Sequence, residues 1–217
     1  SCDRMQAHLK EVFAAIRVQD GKKLSQKLSF GLWDNTFMKS LQDYVHLSTF
    51  SQRTQMMTKN CTYESDPWAD IISEYTQACI CLKAFDNPAQ SFECMESASK
   101  KFLSYFGKEA APWTEVIFEL FLKQLRTVAA LADKREPGYK TLGACLVVYR
   151  EFFKSSVQQS KPRMLVAVVI GNLRICFKIR KYDKCSTFIQ HVPNDISDLP
   201  ISQQVTYNFY SGCIAMF

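Results

Sequence analysis

Apolar residues recur along this chain at intervals of three and four, the spacing that lines one face of an α-helix. Met5, Leu9, Val12, Phe13 and Ile16 mark a first helix that stops near Gly21, and Leu24, Leu28 and Phe30 a short second one. Residues 31–62 carry the weakest pattern. Phe37, Leu41, Val45 and Leu47 fit a helix there, whereas the Ser/Thr/Gln-rich stretch 48–60 reads partly as loop. From Asp66 the signals sharpen. Asp66-Pro67 is an N-cap followed by proline at the first helical position, and Ile71, Tyr75, Ala78, Cys79, Leu82 and Phe85 then share a face.

The same grammar repeats downstream. Asn87-Pro88 opens a helix carrying Phe92, Met95, Phe102, Leu103 and Phe106, up to Gly107. Pro112 opens another with Trp113, Val116, Ile117, Leu120, Phe121, Leu125 and Val128, ending near Glu136-Pro137-Gly138. Further helices are predicted over 139–157, from Pro162 to near Arg180, and more briefly over 183–191. Pro193, Asp195, Ser197, Asp198 and Pro200 read as a loop. Ser202 is expected to cap a last helix that turns Val205, Phe209, Cys213 and Met216 inward. Short connections make neighbouring helices antiparallel. Residues 172–185 have the spacing of a TPR-type turn, which Tyr207, Tyr210, Gly212 and Ala215 echo. The expectation is an all-α, right-handed solenoid of stacked TPR-like hairpins with degenerate repeats. Its parts are N-terminal helices over 1–62, including the poorly defined connecting segment, and the repeats over 63–217.

Composition supports this reading. Among 217 residues, 7 Gly and 7 Pro are too few for the frequent turns of a sandwich or barrel. An apolar share of 47% excludes disorder as the general state. The longest apolar run, Met164–Ile170, falls far short of a membrane span, and no leader is visible at the start. The closing run Cys213–Phe217 is still apolar and helical, which reads as a chain cut inside or just after a packed helix.

Chemistry is harder to find. Nine cysteines occur without a C-x-x-C, and His8, His46 and His191 lie far from any cysteine pair. Zinc needs four converging ligands, so these thiols read as reduced, small hydrophobes of a cytosolic or nuclear protein. No metal and no cofactor is expected. No phosphate loop, G-x-S-x-G or H-E-x-x-H occurs. The row Asp66, Asp70, Glu74 reads as a solvated helix face, and the expectation is a protein that is not an enzyme. Trp33, Trp68 and Trp113 read as packing residues.

Charge gives the one candidate site. The chain holds 27 Lys+Arg against 21 Asp+Glu, a net +6. Five cations, Arg174, Lys178, Arg180, Lys181 and Lys184, stand within eleven residues opposed only by Asp183. Arg174, Lys178 and Lys181 are expected on one helix face, with Val169, Leu173 and Phe177 on the core face. Such a patch suits an acidic partner or phosphates; a solvated helix end, where cations suit the dipole, is the plainer alternative.

Two stretches carry a family likeness. One is residues 164–189, with the order L-V-x-x-V-I-x-N-L-x-x-x-F-K-I-x-K-Y-x-x-C; the other is residues 203–217. Together they resemble the PCI-domain proteins of the mRNA-export branch; signalosome-associated relatives share the pattern. The resemblance implies helical repeats leading into a PCI domain whose winged helix is absent from this chain. It implies a scaffold subunit of a nuclear transcription and export complex at nuclear pores. The expected partners are a large scaffold subunit and a small acidic protein of the proteasome-lid type. RNA or DNA contact is weakened by the missing winged helix, and no membrane partner is expected. A PCI subunit of another assembly (signalosome, proteasome lid or translation initiation) and a generic TPR-like adaptor remain as alternatives.

Overall fold

Proline and short polar side chains punctuate the helices as expected. Pro88, Pro112 and Pro162 each occupy a first helical turn, where a missing N–H costs nothing. Asn87 Oδ1 accepts from the Gln90 N–H at 3.1 Å, and Asp20 Oδ1 from the Lys23 N–H at 2.9 Å. The structure, a computed structural model, describes residues 2–29, 67–108, 110–136 and 138–216. The expectations for residues 31–62, Trp33 and the Asp66 cap lie outside the described residues. Among the described residues the chain is all-helical, without a strand.

The helices are α1 (Cys2–Arg17), α2 (Gly21–Leu28), α3 (Pro67–Lys83), α4 (Pro88–Phe106), α5 (Pro112–Arg135), α6 (Lys140–Gln158) and α7 (Pro162–Lys178). A 3₁₀ turn (Tyr182–Lys184), a single-turn α8 (Ser186–Ile189) and α9 (Ile201–Ile214) follow. Each of α3 to α6 packs on the next helix in sequence, and α4 also meets α6 while α5 meets α7. That pattern stacks α4 and α6 in one layer and α5, α7 and α9 in the other, the arrangement of a helical-repeat fold. Helix α2 packs on α5, and the buried Tyr75 hydroxyl of α3 donates to the Leu28 carbonyl at the end of α2.

Aromatic side chains bind the layers together. Phe102 of α4 stacks on Phe121 of α5 at 4.9 Å, and Phe106 meets Phe118 at 5.2 Å. Phe118 then meets Phe152 of α6 edge-on at 4.8 Å. All five rings are fully buried. Each contributes about 1.5–3 kcal/mol by burial, and each ring pair roughly 0.5–1.5 kcal/mol more. Trp68 of α3 and Trp113 of α5 extend the series at 5.4 Å, so both described tryptophans pack between helices.

Three helix ends use the same closure. After α1, α6 and α7 the residues Gln19, Ser160 and Arg180 adopt left-handed φ values of 55°, 51° and 59°. The next N–H returns five residues: Asp20 to the Ala15 carbonyl at 2.9 Å, Lys161 to Ser156 at 3.2 Å, and Lys181 to Cys176 at 2.9 Å. This is a Schellman-type closure made without glycine, and a new helix or 3₁₀ turn starts at the following residue.

Two expected registers are corrected. Phe85 was placed on the buried face of α3, but that helix ends at Lys83 and Phe85 lies exposed in the turn. Helix α9 begins at Ile201 with no side-chain cap from Ser202. Its inward side carries Tyr207, Tyr210 and Ile214. Val205, Phe209 and Met216 face outward, and Cys213 is half-buried. In α7, Leu173 is fully buried and Phe177 half-buried against Tyr182 and Tyr210, at 5.1 and 4.9 Å.

Ser160 is exposed and pays a left-handed conformation that glycine adopts freely. Ser160→Gly is expected to raise the urea midpoint by roughly 0.5–1 kcal/mol of stability, after the added freedom of the unfolded chain is subtracted. A second expectation concerns acid. Burial and the neighbouring Lys27 charge lower the His8 pKa from 6.5 to about 4. The unfolded chain therefore takes up this proton first as pH falls. Stability supplied by neutral His8 is complete above pH 6.5 and is lost towards pH 4, at most about 1.4 kcal/mol per pH unit. Denaturation series at several pH values should show a shallower slope for His8→Gln.

Candidate anion-binding groove

The expected cation patch divides at the end of α7. Arg174 and Lys178 are exposed on the helix. Arg180 is the left-handed residue of the closing turn, and Lys181 lies beyond it. Lys181 therefore does not share a helix face with Arg174 and Lys178, because the helix stops before reaching it. Lys184 pairs with the adjacent Asp183 at 3.1 Å. None of Arg180, Lys181 and Lys184 lines a cavity described here.

Arg174 and Lys178 instead meet cations of α5 that the sequence reading did not single out. Helices α5 and α7 lie side by side, with α9 against α7. A cavity of about 840 Å³ opens between the C-terminal half of α5, the turn before α6, the end of α7 and Tyr210 of α9. Arg126, Lys134, Arg174 and Lys178 line it. A second cavity of about 400 Å³ continues the groove towards Lys123, Ser202 and Thr206. Arg126 and Arg174 line both, so the two guanidinium groups stand where the cavities join.

The acids of the groove are already engaged. Asp133 is buried, and its two carboxylate oxygens accept the N–H groups of Thr141 at 2.9 Å and Leu142 at 2.7 Å. Asp133 thus caps α6 from the neighbouring helix, in place of Tyr139, which precedes α6 with left-handed φ and no capping side chain. Glu119 pairs with Arg163 at 3.0 Å. Among the described residues, Lys123, Arg126, Lys134, Arg174 and Lys178 form no ion pair. Five positive charges therefore face the groove against two carboxylates, Asp133 on the α6 amides and Glu119 on Arg163.

Tyr149 supplies the floor under the two arginines. Its hydroxyl donates to the Leu122 carbonyl at 2.6 Å, and burial raises its pKa far above the ordinary phenol range. Cys145 adds to that rise, while Arg126 and Arg174 both pull against it, which places both positive charges near the one phenol. Gly171 makes the seat. A Cβ there would stand 2.3 Å from the Tyr149 ring, so only glycine lets α7 lie over it.

Apart from Thr127, the walls of the larger cavity are otherwise apolar or aromatic, Leu131, Leu142, Ile175, Tyr139 and Tyr210 among them. Neither cavity is lined by histidine or cysteine. Among the described residues no three His, Cys, Asp or Glu converge as a metal site. Cys176 and Cys185 are hydrogen-bonded across the turn after α7, which lowers the Cys185 pKa, yet both are fully buried. The chemistry on offer is anion binding beside an apolar wall.

A second surface lies on the outer side of α9 and the turn that follows it. Ile201 is 77% exposed, Val205 and Phe209 62%, and Met216 79%. No charged residue occurs between Ile201 and Phe217. No helix among the described residues is long and apolar enough to cross a membrane.

No family model matches the chain, and no solved structure matches it. The likeness to PCI-domain proteins therefore rests on the two sequence stretches alone.

Asp133 gives this region a testable anchor. Asp133→Ala is expected to cost about 1–2 kcal/mol by leaving two buried amides of α6 without acceptors. Amide exchange at Thr141 and Leu142 should accelerate in the variant; unchanged protection there would show that the cap does not hold the helix.

Proposed function

We propose that this chain is a non-enzymatic scaffold subunit that works by presenting helix faces to partner proteins. The observation that supports this reading best is the uncharged apolar stripe of α9. Four large apolar side chains, Ile201, Val205, Phe209 and Met216, stand in water on the side turned away from the core. An apolar face of this kind is the mark of an interaction surface, and stacked-helix folds bury such faces against a further helix. The matching partner surface is an apolar helix face without charge.

The family likeness supplies the assembly. On that reading the chain belongs to a nuclear transcription and mRNA-export complex associated with nuclear pores. Its α9 stripe receives the large scaffold subunit, and a small acidic protein of the proteasome-lid type is a second component.

Co-expression with those two proteins tests the proposal. The expected outcome is a complex that survives gel filtration, and its loss with the double variant Val205→Asp/Phe209→Asp. Because both side chains already face solvent, the variant should keep the parent's melting temperature and helical signal. Undiminished capture by the folded variant would remove the stripe from the interface. Failure of the parent chain to bind either protein would remove the export complex.

A further inference from the structure

We propose that the groove between α5, α7 and α9 binds a nucleotide unit, with its phosphates on Arg126, Arg174 and Lys178 and its base against Tyr139 and Tyr210. This goes beyond partner docking and does not depend on it, because the α9 stripe lies on residues that line neither cavity.

A volume of about 840 Å³ lies in the range of pockets that enclose small ligands, and such pockets combine apolar walls with a few convergent polar groups. The convergent groups here are cations from two helices. Arg126 and Lys134 are eight residues apart on α5, about 12 Å along the axis, and Arg174 and Lys178 one turn apart on α7, about 6 Å. Cations spaced in this way suit a ligand with more than one anionic group. Guanidinium forks favour phosphate, which they bind through two parallel hydrogen bonds. Asp133 and Glu119 also line the groove, but their oxygens are held by the α6 amides and by Arg163, so the cations outnumber the acids and none of the four is ion-paired.

The walls select what accompanies the phosphate. Tyr139 is exposed at the cavity rim, and Tyr210 is held edge-on by Phe177 at 4.9 Å. Tyrosine faces stack on planar bases, and Leu131 and Ile175 offer apolar surface beside them. An extended peptide fits less well. Arg126, Lys134, Arg174 and Lys178 offer the larger cavity an excess of donors, whereas acceptors for a peptide's N–H groups are few beyond Thr127 and the tyrosine hydroxyls. A nucleotide carries its polar groups as phosphates and ring edges, which match the lining. The same chemistry belongs to a free nucleotide and to one unit of a single strand.

The test uses the 217-residue chain with ATP, adenosine, inorganic tripolyphosphate, a ten-residue oligouridylate and a poly-glutamate peptide, each titrated at two salt concentrations. ATP or the oligouridylate is expected to bind, more weakly at higher salt. Binding of ATP without the oligouridylate identifies a free nucleotide; tight oligouridylate binding that ATP displaces identifies a strand. Arg126→Gln/Arg174→Gln should reduce affinity about tenfold or more. Tyr139→Ala should weaken nucleotide but not tripolyphosphate, and Tyr139→Phe should restore it. Arg180→Ala/Lys181→Ala, outside the groove, should bind as the parent does. Melting curves establish that each variant is folded. The proposal is overturned if neither nucleotide probe binds, if tripolyphosphate binds as tightly as ATP and Tyr139→Ala changes nothing, if the Arg180/Lys181 variant loses as much as the groove variant, or if poly-glutamate binds most tightly.

Discussion

The contact between Phe102 and Phe121 is the point from which the rest of the structure is built. It joins the two helix layers by a near-parallel stack of two buried rings. Through Phe106, Phe118 and Phe152 the same series of rings reaches α6. Helix α7 then lies across Tyr149 of that helix because Gly171 leaves room for its ring. The positions of Arg126 and Arg174 are thus set by an apolar core that neither residue touches chemically. Cations could be placed side by side without ion-pair partners because the burial of the rings behind them outweighs their mutual repulsion, which water and salt screen at an exposed groove.

Much of the fold could be read in the sequence, for local reasons. Asn87-Pro88, Pro112 and Pro162 act within a single turn, so their effect does not depend on distant residues. Helix α9 was misread for the opposite reason. It carries no charge, so polarity does not distinguish its two apolar stripes. One holds Val205, Phe209 and Met216 and the other Tyr207, Tyr210 and Ile214. Phe177, half-exposed at the end of α7, takes Tyr210 and so decides the register. That decision is tertiary and leaves no trace in the spacing.

The candidate site was half legible on the same principle. Arg174 and Lys178 belong to one helix and could be paired by counting residues. Arg126 and Lys134 join them only because α5 and α7 are neighbours in one layer, a fact of stacking rather than of sequence. Lys181 shares the face of Arg174 only if the helical count runs on past Arg180, where the chain turns left-handed. Asp133 escaped notice altogether. A carboxylate that caps another helix resembles a solvated one until the fold brings the amide groups to it.

The repeated closure after α1, α6 and α7 has a consequence for how such a chain can change length. Each of these connectors leaves one helix and enters the next element within a few residues, so none contains slack. One residue inserted before such a turn rotates all that follows by about 100° around the helix axis, carrying an apolar face into water. The segment between Val192 and Pro200 is different. It is held by local bonds, such as Ser197 N–H to Asp195 and the Gln204 amide to the Ser197 and Leu199 carbonyls. Insertions there change the path of the loop, while the contact of Tyr210 with Phe177 keeps the pitch at which α9 joins the stack.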